Sequence, residues 1–381
     1  MLAAVEVIDR KDALAPVLDA WRRLATARGN AFVTPEWYLA ALDALHGEAV
    51  PAVAVMRGGD GSVGGLLPLL ERRSSSGRRL ISFPGTRFGD IFHPVAEKED
   101  EVKVAATVAP SLARHLGARC RLDLGRVGAE AGWWRELARA WPSRMTVVPQ
   151  PEEVVPYIAL EGFGWQEYLA TRSGQFRNQV KRKMRSLERD HEVRLRRSLT
   201  TEEVSSDIET LFDLHDARWQ KRRRASSMSA AEARDLHRGF ASAAHERGWL
   251  RLYLLEVDGA AAAAWYGWRL GDRFSYYQAG FEPAWSRFSV GFLLLAETVR
   301  EAIAEGAAEY DLLVGNEAFK ARFATGERRG RSVLLAPPIS RTRLVASAKR
   351  AARSGVRAMP GPARERIRGF RHRIQGGGGG R

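Results

Sequence analysis

The stretch Tyr276–Thr325 constrains this chain more than any other. YYQAGFEPAWSRFSVGFLLLAETVREAIAEGAAEYDLLVGNEAFKARFAT reads as strand, polar turn, amphipathic helix, buried strand, then a short polar segment holding Lys320. Phe292, Leu295, Val299 and Ile303 recur at helical spacing, and Gly306 stops the helix. Ser289 is expected to cap its start, and Gly291 lets a ligand come close to the backbone. A helix start exposes unpaired N–H groups and partial positive charge, which suit a phosphate. An ordinary capped helix after a turn has the same pattern, so both readings stand.

The surrounding order extends the pattern. LRLYLLEVDG and AAAAWYGWRLGD are strands joined by the hairpin signal Asp258-Gly259, and RFSYYQAGF is a third strand. After the helix at 290–305 come a strand at 309–314, a short helix at 317–323 and the strand SVLLA. The first half gives a fainter version. It has a short strand (VEVID), a helix over 14–29 and a helix started by Thr34-Pro35-Glu36. A hairpin at GGDG, the strand LISFPG, a helix near 101–117, a strand at 121–125 and a helix at 133–141 follow. The expected fold class is α/β (α+β), with tandem halves, each a mixed, mainly antiparallel sheet flanked by helices. The halves span 1–150 and 151–337, with a proline-rich linker near 142–156 and a helical segment over 165–247. No residue-level repeat relates them.

The formal net charge of +15 is unevenly placed. Residues 341–381 hold twelve Lys or Arg and the single acid Glu365, so the rest is near +4. The segment 338–381 reads as a basic flexible tail, either disordered or lying on an anionic membrane surface. No run of about 18 apolar residues exists and the N-terminus lacks a signal-peptide pattern. The single Cys120 reads as a structural thiol in a reducing compartment. A cytoplasmic protein, peripheral at the inner membrane face through its tail, is the expectation. The histidines show no metal-ligand spacing, and no metal is expected. P-loop, Rossmann and nucleophile-elbow motifs are absent.

GFEPAWSRFSVGFLLL, AEYDLLVGNEAFKARF, FRNQVKRKMRSLE and FVTPEWYLAAL resemble the BioF2-like or CelD/BcsL group of GNAT-related acetyltransferases, themselves similar to FemAB peptidyltransferases. The resemblance spans about residues 5–335. It implies a tandem GNAT-like fold and transfer of an acyl group from acetyl-CoA or another acyl-CoA to an amine. It further implies an amino sugar of surface-polysaccharide assembly as acceptor. Ser286, Arg287, Ser289, Val290 and Gly291 fall on the family's phosphate loop, with serine at its first position and in place of its first glycine. Lys320 matches the lysine of the family's D-x-L-x-G-x-x-x-x-K pattern, which begins at Asp311.

The residues add candidates of their own. Asp311, in an otherwise apolar strand, is either a proton acceptor or a structural acid paired with an arginine or a backbone amide. Lys320 would neutralise a phosphate or carboxylate, or is simply an exposed lysine. Tyr277 would protonate a leaving thiolate, or is a core aromatic. Glu282, Glu317, Trp37, Asp90, His93 and Arg177 are candidates for binding the acceptor. Arg177, Lys181 and Arg185 share a helix face that is either solvated or a channel for anions. Two alternatives remain open: a FemAB-like enzyme using aminoacyl-tRNA, the one nucleic acid considered, and a non-catalytic membrane-associated binding module.

Overall fold

The computed structural model describes residues 4–73, 79–117, 120–221 and 226–337. The basic tail therefore lies outside the described residues. Alternating apolar runs and capped amphipathic segments produce the expected elements. The first half contains β1 (Ala4–Ile8), α1 (Leu18–Ala27), α2 (Pro35–Asp43), β2 (Ala49–Arg57), β3 (Val63–Arg73) and β4 (Arg79–Ser82). It continues with α3 (Glu101–Leu116), β5 (Leu122–Gly128), α4 (Trp133–Ala140) and β6 (Thr146–Ala159). Thr34 caps α2 as expected, its hydroxyl accepting from Trp37 N at 3.2 Å.

The second half contains α5 (Trp165–Ala170), α6 (Gly174–Asp190), β7 (Val193–Arg197), α7 (Thr201–Lys221) and α8 (Ala231–Glu246). Then come β8 (Leu250–Val257), β9 (Ala260–Leu270), β10 (Arg273–Phe281), α9 (Val290–Ala304), β11 (Glu309–Asp311), α10 (Ala318–Phe323) and β12 (Gly326–Ala336). Asp258 and Gly259 both take positive φ, the conformation their hairpin demands.

Among the described residues the strands form one twelve-stranded sheet, ordered β1-β2-β3-β4-β5-β12-β6-β11-β10-β9-β8-β7. That order reads the same from both edges if each half is numbered separately. Each half has a hairpin, a third antiparallel strand, a helix, a strand parallel to the third, a short helix and a last strand. The last strands are exchanged. β12 pairs with β5 of the first half, β6 pairs with β11 of the second, and the two pair with each other. Two apolar clusters flank the sheet, one around Trp21, Trp37 and Trp268, the other around Trp265, Phe274 and Tyr310.

Three expectations need correction. The proline-rich stretch 142–156 is mostly β6, so the boundary at 150 falls inside a strand. Pro151 is tolerated because β6 carries an irregularity opposite Arg331–Val333, where ladder pairing lapses. The helical segment 165–247 is broken by β7. Val193 and Leu195 alternate with arginines, a pattern suited to an edge strand. The strand expected over 309–314 stops at Asp311, because Leu313 takes φ +55°.

Candidate functional site

β10 and β11 are parallel but paired only over Arg273–Ser275 and Glu309–Asp311. Beyond that point they separate. On its other side β10 carries a bulge against β9 between Tyr276 and Gln278. The chain after Asp311 turns through Leu313 (φ +55°) and Gly315 (φ +147°). A left-handed leucine costs about 1 kcal/mol or more. Three charged side chains hold it there. The Asp311 carboxylate accepts from Leu313 N at 2.8 Å, and the Asp90 carboxylate from Val314 N at 2.5 Å. The Lys320 ammonium donates to Leu313 O at 3.3 Å and to Val314 O at 2.8 Å.

The split opens on a cavity of about 240 Å³ between the halves. Asp90 and Arg126 reach it from the first half; Arg218, Tyr276, Glu317 and Lys320 reach it from the second. Burial pushes Asp90 up to about 6, although Arg126 Nη1 lies 2.6 Å away and opposes the shift. Lys320 is 5 % exposed, and burial lowers its pKa against the pull of Glu317 at 3.4 Å. Burial raises Tyr276, while the neighbouring Arg218 guanidinium acts to lower it. A buried acid and a buried ammonium with opposed shifts, in one concave site, are groups prepared for proton transfer and charge binding.

The sequence-derived candidates divide around this cavity. Asp90, Tyr277, Glu317 and Lys320 line it. Lys320 is thus buried, not the exposed lysine of its bland reading. The Tyr277 hydroxyl donates to Phe88 O at 2.9 Å and meets His237 Nε2 at 3.0 Å. Burial also raises its pKa, so its one proton is committed to the protein. Its ring packs against Phe32 and Trp268 at 6.2 and 5.4 Å. Asp311 lines a different, wider cavity of about 1020 Å³, together with His93. Its carboxylate accepts from the Leu313 amide and has Arg328 at 3.8 Å. Burial raises its pKa. His93 bonds Pro94 O at 2.8 Å and burial lowers it to about 4, so it is neutral.

The other acceptor candidates do other work. Trp37 is fully enclosed, with Nε1 donating to Pro84 O at 3.1 Å, because α2 packs it between Phe32 and Phe240. Glu282 caps the 3₁₀ turn Pro283–Phe288 by accepting from Ala284 N at 3.2 Å. Arg177 donates to Arg172 O at 2.5 Å. Cys120 is half-buried and burial pushes its thiol up to about 12, which fits an inert thiol.

The phosphate-loop candidates sit where β10 leads into α9. Ser286 and Arg287 are exposed on the 3₁₀ turn, and Lys183 of α6 donates to Arg287 O. Ser289 does not cap α9 with its side chain. It takes φ +61°, whereas the capping serine needs an extended backbone. Phe292 N and Leu293 N close on Ser289 O at 2.9 and 3.1 Å. The amides of Val290 and Gly291 have no acceptor among the described residues. No acid stands in the first turn of α9. Arg126, Arg218 and Tyr276 were not singled out from sequence. The tyrosine pair was visible, but which tyrosine stays available depends on the bulge.

Residues 174–321 match the model of the acetyltransferase (GNAT) domain family. The chain carries a GNAT acetyltransferase domain. It is therefore an acyltransferase. The GNAT domain covers α6 through most of α10, and so contains the strand split, the start of α9 and Lys320. In structure the chain resembles FemX, with TM-score 0.62 at 12% identity over 83% of this chain and 95% of that one. It also resembles L-PGS from Bacillus licheniformis, with TM-score 0.52 at 11% identity over 90% and 96%. At such identities the likeness is one of fold, and it extends over both halves. No curated protein matches the chain in sequence. Among the described residues no cluster of His, Cys, Asp or Glu is placed to hold a metal ion, and no helix is long and apolar enough to cross a membrane.

Proposed function

We propose that the chain transfers an acyl group from an acyl-CoA thioester to an amine at the split between β10 and β11. The observation that supports this most is the geometry of that split. A parallel pair separates after three residues, leaving one edge of β10 without a strand partner beside a charged cavity. The start of α9, with two free amides and no acid, follows at the end of that strand. An extended thioester arm in the split would meet backbone groups of β10, and its phosphates would meet α9 and Lys183.

The chemistry follows from the lining. The amine nitrogen attacks the thioester carbonyl carbon, the C–N bond forms, and the C–S bond breaks. Asp90, with a pKa of about 6, is ionised at neutral pH and takes the proton that the amine loses. The leaving sulfur takes a proton from Tyr276, and the proton held by Asp90 passes through solvent to the tyrosinate, which restores both groups. Lys320 keeps the Leu313–Gly315 turn in place. The acceptor is an amine, and the resemblance to the CelD/BcsL group favours an amino sugar.

Calorimetric titration of acetyl-CoA into the full chain tests the donor. Micromolar binding that disappears in Gly291→Asp supports the reading. An acid there favours the helix start yet repels phosphate, so the variant should fold. Absence of binding by folded protein overturns it and favours the aminoacyl-tRNA donor. One observation recommends that second reading: Lys181, Arg182, Lys183 and Arg185 on α6 have no carboxylate partner among the described residues.

A further inference from the structure

The cavity between the halves carries positive charge that the protein does not neutralise. Its two acids are already matched, Asp90 with Arg126 at 2.6 Å and Glu317 with Lys320 at 3.4 Å. Arg126 has a second carboxylate, Glu153, at 2.7 Å. Two further cations line the same cavity, Arg87 and Arg218. Arg87 is 73% exposed and among the described residues reaches no carboxylate nearer than Glu232, at 3.8 Å. Arg218 has no carboxylate within ion-pair distance among the described residues.

Arg218 is nevertheless fixed. Its Nη1 donates to Ala279 O at 3.0 Å, and its guanidinium lies over the rings of Phe281 and Trp219 at 5.5 and 5.8 Å. Its Nε is buried and has no hydrogen-bond partner among the described residues. The backbone of α7 is pressed against β10 at Gly280, where a Cβ would fall 2.4 Å from His215 N. A half-buried guanidinium held rigidly without a counter-ion favours an incoming oxyanion over water.

We propose that the acceptor carries an oxyanion, a phosphate or a carboxylate, in addition to its amine, and that Arg218 with Arg87 binds that group. The amine end of the same acceptor then lies toward Asp90 across the cavity. This deepens the proposed function, since it takes the cavity as the acceptor's place.

The test is calorimetry on the full chain without donor, using O-phosphoethanolamine, β-alanine and ethanolamine. One of the two anionic probes should bind at least about tenfold more tightly than ethanolamine, and which one does so tells phosphate from carboxylate. Arg218→Gln should bring all three within about threefold of one another. Arg87→Gln, at a mostly exposed position, should fold normally and weaken the preferred probe by about threefold to tenfold. Equal binding of the three probes, no binding of either anion, or a preference unchanged in both variants overturns the proposal. Displacement of the anionic probe by acetyl-CoA also overturns it, because the oxyanion site would then belong to the donor. If acetyl-CoA fails to bind while the preference persists, the donor reading falls and this one stands.

Discussion

The two halves share one strand order and use it differently. In the second half, β10 and β11 part after three paired residues and leave a charged cavity. In the first, β4 and β5 part after two, Ile81–Ser82 against Leu122–Asp123. There the chain fills its own gap. Phe83, just past β4, stacks on Phe92 at 5.1 Å, and Phe92 N donates to Arg126 O at 2.8 Å. The corresponding helices differ as well. α3 begins amid Glu99, Asp100 and Glu101, which would repel a phosphate, whereas α9 begins without an acid. The same loop that plugs the first gap presents Arg87 and Asp90 to the second. One copy of the motif thus leaves a gap, where we propose the donor sits, and the other has become a wall of the cavity.

The largest expected effect tests this contrast directly. Gly291→Asp should weaken acetyl-CoA binding by about 100-fold or more, while removing an acid at the matching helix, Glu99→Gln, should change it less than about twofold. Comparable losses in both would mean that the first half also binds the donor. Next, Asp90→Asn should lower kcat by about 100-fold and abolish the rise of kcat/KM with pH through about 6. A retained limb near pH 6 would transfer the proton-acceptor role to another group.

A smaller effect concerns packing. Gly280→Ala should cost about 2 kcal/mol in denaturant unfolding, because the new methyl meets backbone atoms of Leu214 and His215 that have little freedom to yield. If stability is unchanged, α7 is looser on β10 than the position of Arg218 requires.

A separate effect, on stability rather than on the comparison of the halves, depends on pH. His93, His215 and His237 are lowered by burial to about 4, 4 and 3. In the unfolded chain a histidine titrates near 6.5, so below about 6.5 the unfolded state binds more protons and stability falls. Asp90 acts oppositely, since its raised pKa makes the folded state the better proton binder below about 6. Burial raises Glu101, Glu297 and Asp311 as well, and they act with Asp90; the three histidines, whose protonation difference develops fully across this pH range, are expected to set the sign. Tm should drop by on the order of 10 °C between pH 7.5 and pH 5. A flat profile would mean that at least one of these histidines is charged in the fold.

Much of this was readable along the chain. Thr34 and Pro35, Asp258 and Gly259, and the 290–304 periodicity announce their elements through local backbone preference and one-sided burial. The pattern from Asp311 to Lys320 pointed to the region that matters. Trp37 was misplaced because an aromatic at a helix start looks alike whether it faces a ligand or a core. Tyr276 and Tyr277 are indistinguishable in sequence; only the bulge against β9 gives one hydroxyl to Phe88 O and leaves the other beside Arg218.

The sequence by itself determined the elements, the second half's motif and the concentration of positive charge in the tail, because these depend on neighbours within a few residues. Tertiary structure alone decided the exchange of β6 and β12, the left-handed turn at Leu313, and the meeting of Asp90, Arg126, Arg218 and Lys320 around one cavity. Those outcomes depend on groups distant along the chain, Asp90 and Val314 being 224 residues apart. Strand pairing and burial select such contacts, and no local spacing records them.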